Sequence, residues 1–168
     1  MTYKNKKPTS MEPNFLAILV ASLSSFVVGS VWYNPKVFGT IWMRETGMTE
    51  EKAQKANMIK VFGLTFVFAF MLAFMMPTIV IHQVGALQLA GGNATDEAFI
   101  AYMKVHGEAF RTFKHGALHG LIASLFIILP TVGINALFEQ RSFKYVAITA
   151  GYWAVVMTLM GAIVCGWK

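Results

Sequence analysis

The chain has 168 residues, 56% of them hydrophobic and 13% charged, with a net charge of +6. That apolar share exceeds the ~45–50% usual in soluble domains, and the mean hydropathy is +0.56. So modest a basic excess, without an RNA-reading motif or a long basic stripe, speaks against nucleic acid and for contact with anionic lipid headgroups.

Lys4, Lys6 and Lys7 precede the first apolar run, as in a signal peptide. The run is long, however, and no A-x-A cleavage pattern follows it, so an uncleaved first helix is expected. That run, 15–33, is the first of four; the others are 61–81, 116–138 and 145–167, all within a single membrane domain, 1–168. A helix rising 1.5 Å per residue needs about 20 apolar residues to cross ~30 Å of hydrocarbon. None of the four contains Asp, Glu, Lys or Arg. The fold class is therefore all-α, an integral membrane bundle of four transmembrane helices.

Trp32 and Tyr33 close the first span with interfacial aromatic rings, and Pro35 blocks simple continuation. Val37, Phe38, Ile41 and Trp42 suit a short helix lying in the interface. Thr49-Glu50-Glu51 starts another, expected to run through Lys60 into the second span. Beyond His82, the glycines Gly85, Gly91 and Gly92 with Asn93 mark a loop. Across 95–113, apolar Phe99, Met103, Phe110 and Phe113 alternate at helical spacing with Asp96, Glu97, Lys104, Glu108 and Arg111. An additional amphipathic interfacial helix is expected there, on the surface or leading directly into the third span. A tight hairpin, Glu139 to Lys144, makes the last two spans antiparallel neighbours. Pro77 and Pro130 are expected to kink their helices.

Small residues mark packing faces. Gly116, Gly120 and Ser124 recur every four residues on the third helix, Ala21, Ser25 and Gly29 on the first, and Ala150, Ala154, Thr158, Ala162 and Gly166 on the fourth. Close backbone approach through such faces is a main source of helix association in lipid. Phe62, Phe66, Phe70 and Phe74 form a row on the second helix, expected to face lipid or another subunit. Four helices cannot bury all these faces internally, so a homo-oligomer is expected. Asn135, within the third span, calls for an interhelical hydrogen bond to Thr149 or Tyr152. Lysine and arginine divide seven against seven between the two membrane sides, so the positive-inside rule favours neither strongly; the short hairpin with Arg141 and Lys144 tips the reading toward its side being cytoplasmic.

Several motifs resemble the bacterial domain-of-unknown-function family 1761. They are Asn14-Phe15-Leu16-Ala17-Ile18, Trp32-Tyr33-Asn34-Pro35, Phe38-Gly39 with Trp42-Met43, Asn135-Ala136-Leu137-Phe138-Glu139, Gly151-Tyr152, Gly161-Ala162 and Trp167. The resemblance implies four membrane helices in a bacterial cytoplasmic (inner) membrane. It implies no established activity, substrate or cofactor.

Histidines carry the sharpest chemical signal. His115 and His119 lie one turn apart at the start of the third span, and alternation of spans puts His82 on the same membrane side. If the amphipathic helix continues into the third span, Glu108 falls on their face. Three imidazoles and a carboxylate suit zinc or another transition metal, and paired histidines also suit haem. Interfacial hydrogen bonding and proton handling are the other readings of the same residues. The lone cysteine, Cys165, excludes an intrachain disulfide. No Ser-His-Asp order, phosphate loop or nucleotide fingerprint occurs, and uncharged spans argue against an intramembrane carboxylate relay. Two classes remain: a non-enzymatic, self-associating bundle (scaffold, lipid-binding protein or small-solute path), or a membrane redox or metal-binding protein.

Overall fold

The computed structural model describes residues 12–168, so Lys4, Lys6 and Lys7 lie outside the described residues. All regular structure among them is helical. The helices are α1 (Phe15–Trp32), α2 (Thr40–Thr46), α3 (Glu50–Gln54), α4 (Met58–Val80), α5 (His82–Leu89), α6 (Glu97–His106), α7 (Phe113–Ala123), α8 (Leu129–Phe138) and α9 (Phe143–Gly166). Four segments are long and apolar enough to cross a membrane: α1, α4, the continuous Phe113–Phe138 stretch and α9.

Local chemistry explains the boundaries. Side-chain oxygens of Asn14, Asn57, Asp96, Thr112 and Ser142 accept the N–H three residues on, opening α1, α4, α6, α7 and α9. Asn57 explains one departure from expectation. Instead of continuing from α3 through Lys60, the chain breaks at 55–57 and a new helix starts under the Asn57 cap. The interfacial segment after Pro35 also divides, into a π-helical turn, Pro35–Gly39, and α2. Gly39 closes that turn by donating to the Asn34 carbonyl, and a Cβ there would overlap the Tyr33 and Asn34 backbone. Within the third span a second π-helical turn, Ser124–Ile128, precedes Pro130. A wider turn absorbs the register that an N–H-less residue cannot hold.

Enclosure is uneven: half of the apolar window in α9 is buried, against 11% in α4. α9 is the hub. It meets α7 so closely that a Cβ on Gly116 would overlap the Gly161 carbonyl, and one on Gly120 the Met157 carbonyl. Gly116 and Gly120 form the α7 side of this contact, and Ser124, just beyond α7, is buried as well. Their partner face is centred one position away from most of the expected row, on Met157, Gly161 and Cys165, while Gly166 of that row meets Phe113 of α7. Thr158 touches Gly120 through its Cα, while Ala154 and Thr158 line a shallow apolar hollow with Leu121 on the flank. Ala162 is half-buried beside the seam, which belongs to Gly161 because only a missing side chain lets two backbones meet.

On α4, Ala69, Ala73, Met76 and Val80 are the buried face. The phenylalanine row runs along its edge, where Phe66, Phe70 and Phe74 follow one another at 6.3 Å and reach Phe15 of α1 at 6.5 Å. Phe62 meets Phe26 at 6.1 Å, so the row seals the α1–α4 seam as well as facing outward. Asn135 departs from expectation. It is exposed near the end of α8, and the Tyr152 hydroxyl donates instead to the Ser25 carbonyl, at 3.0 Å. Four residues before the Glu139–Lys144 hairpin, the amide lies on the outer face of the bundle rather than in an interhelical contact within it.

Candidate metal centre

One end of the bundle collects the start of α1 and α7 with the finish of α4 and α9. There the Asn14 amide donates to the Trp167 carbonyl at 3.4 Å, and the Cys165 thiol to the carbonyls of Val80, 3.3 Å, and Phe110, 3.4 Å. α4 ends at Val80 because Ile81 turns extended, and α5 restarts at His82. The Thr112 hydroxyl caps α7 and sets His115 and His119 on one face a turn apart.

These two rings and His82 pack against one another. Ring centroids lie 4.3 Å apart for His115–His119, 4.9 Å for His82–His115 and 5.3 Å for His82–His119. Nε2 of His82 and Nε2 of His115 are 3.0 Å apart, a hydrogen bond in which one imidazole must be neutral to accept. One ring nitrogen from each of the three lies within 4.8 Å of the other two. Around a tetrahedral ion with bonds of 2.0–2.1 Å, ligand nitrogens stand about 3.3 Å apart. The His82–His115 pair already sits near that edge length, and small ring rotations bring in His119. A haem held between two of these histidines fits poorly, since the rings touch and leave no room for a macrocycle between them.

Glu108 does not join the cluster. The amphipathic helix does not run through 95–113 into the third span; α6 stops at His106, and a turn through Gly107–Arg111 intervenes. That turn carries Glu108 toward the end of α9, where it pairs with Lys168. Without helical continuity, the seven-residue spacing to His115 has no geometric meaning.

Three residues complete the site that spacing did not single out. Phe110 adopts φ 62°, uncommon for a bulky side chain, and its ring lies 5.6 Å from His82 and 5.1 Å from His115. Arg111 donates through Nε to the Cys165 carbonyl at 3.1 Å, tying the turn to α9. Gln83 is buried, and its amide donates to the carbonyls of His106, 2.7 Å, and Ala109, 2.9 Å. Its Oε1 is buried with no partner among the described residues. A polar residue directly after an apolar span was the available signal for Gln83; nothing in the local sequence marks the backbone of Phe110.

Fold and site together define a class: a four-helix integral membrane protein with converging histidines at one end. The chain belongs to the family described as "Protein of unknown function (DUF1761)", which matches residues 16–165. No curated protein and no solved structure matches it.

Proposed function

We propose that this is a multi-pass protein of the bacterial cytoplasmic membrane that binds a transition-metal ion, zinc foremost, through His82, His115 and His119. The carrying observation is the mutual approach of their ring nitrogens within 4.8 Å. Neutral imidazoles favour zinc, copper, iron or nickel over magnesium or calcium. Three protein ligands without a fourth leave a coordination position for an exogenous group, the arrangement of binding or reactive rather than purely structural zinc sites. The purified protein is expected to hold about one zinc per chain, and the His115→Ala/His119→Ala variant to lose it while keeping its helical content. Unaltered metal content in that variant overturns the reading.

Self-association is a second, compatible property. It is supported by α8, where Asn135 is exposed and a Cβ on Gly133 would meet nothing within 4 Å. An exposed amide beside an open small-residue position suits contact with another copy. A monomeric mass in mild detergent rejects it.

A further inference from the structure

We propose that the open position of this metal site takes the carboxylate of a single-chain amphiphile, a medium-chain fatty acid whose tail lies in the groove between α5 and α6. The inference rests on the metal reading above and adds its ligand.

A cavity of about 660 Å³ begins at His82 and follows both helices. Its size falls within the ~300–1,000 Å³ of small-molecule sites. The room comes from small side chains, Gly85, Ala86, Ala90 and Ala98, and the walls from Leu89 and Phe99. Polar groups are few: His82 starts α5, Asp96 lies beyond its far end in the turn with Asn93 and Ala90, and Tyr102 of α6 completes the lining. Eight residues of α5 give the groove a length of about 12 Å. One short chain matches that length.

Charge selects the head. All three protein ligands are neutral imidazoles, and no carboxylate or thiol joins them among the described residues. A divalent ion there keeps its full double charge, which favours an anionic fourth donor over a neutral one. An anionic oxygen donor offsets half of it. Glu108 is engaged with Lys168 and does not serve. A fatty-acid carboxylate supplies the anion, and its tail replaces water along an apolar wall.

Cobalt(II) can report the coordination shell in place of zinc. The full-length protein in nanodiscs is loaded with cobalt and titrated with decanoate, decanol and acetate. Decanoate is expected to shift the visible cobalt bands saturably, decanol to leave them unchanged, and acetate to need at least tenfold more. Gly85→Phe fills the groove at a helical position with nothing within 4 Å of the new Cβ; Ala86→Phe fills the same wall. Both are expected to keep the cobalt spectrum and to weaken decanoate at least tenfold. Cobalt bands indifferent to decanoate, or equal affinity in both filled variants, overturn the proposal alone. Failure of the wild type to bind cobalt overturns the metal reading, and the proposal with it.

Discussion

The two ends of the bundle solve the same problem differently. At the end opposite the histidines, polar groups terminate on backbone. The Trp32 indole donates to the Ile148 carbonyl at 3.1 Å, and Arg141 donates to the carbonyls of Glu45, 3.3 Å, and Thr46, 3.2 Å, closing α2 against the α8–α9 hairpin. Phe38 covers Trp32 at 4.6 Å, and Trp42 meets Tyr33 at 5.3 Å. At the histidine end, three imidazoles bring their nitrogens together, a buried amide oxygen has no partner among the described residues, and a phenylalanine holds a left-handed backbone. The hairpin end carries the same two kinds of feature, Gln140 at φ 54° and a buried Thr149 hydroxyl with no partner among the described residues, so what distinguishes the histidine end is the convergence of three ring nitrogens.

The largest effect that sharpens this contrast lies in the α7–α9 seam, which starts beside the histidines. Gly120→Leu drives a side chain into the Met157 carbonyl, and overpacking against backbone should cost more than about 3 kcal/mol. Gly133→Leu, with nothing within 4 Å of its Cβ, should stay near wild type. Thermal unfolding of both in detergent checks the pair; equal melting temperatures would remove α7–α9 as the organising seam.

Gln83→Leu comes next. It strands two carbonyls and frees the turn that seats Phe110, so a loss of roughly 1–3 kcal/mol is expected. Metal affinity should fall by about 10–100-fold, as when a group supporting ligands is removed. A cobalt titration with unchanged affinity would show that the turn does not position the site.

Why some of this was legible follows from the physics of each feature. Spans of about 20 uncharged residues have no alternative in a small chain, and histidines one turn apart must share a face. His82 joined them by alternation of spans alone. The break after His106 was hidden because Glu97–Arg111 keeps helical periodicity that tertiary contacts override: Gln83 captures the carbonyls at the break and Arg111 captures α9. Glu108 was misplaced with that break. The seam shifted to Gly161 because four-residue spacing identifies a small row but not its rotation about the helix axis.

Smaller effects test the hairpin end. Arg141→Ala should cost roughly 1–2 kcal/mol, since two α2 carbonyls lose a charged donor in a half-exposed setting. Chemical denaturation checks it, and metal content should not change; coupled loss of metal would contradict the independence of the two ends.

The smallest concerns Glu45. The Ser142 hydroxyl donates to its carboxylate, and with Arg44 and Lys144 nearby this holds the carboxyl below the usual glutamate range. A depressed folded pKa gives stability that is full above the ordinary glutamate value and fades as pH falls through the lowered one. Ser142→Ala should flatten that acidic decline in melting temperature. An identical pH profile would show that the bond contributes nothing.

The central claim, one metal held by three imidazoles at one membrane face, is tested most directly by the zinc-edge X-ray absorption spectrum of the loaded protein. Three nitrogen ligands at about 2.0–2.1 Å with imidazole multiple scattering, reduced to two in His119→Ala, are expected. A sulfur shell, a water-only shell, or a spectrum indifferent to His119→Ala would contradict it.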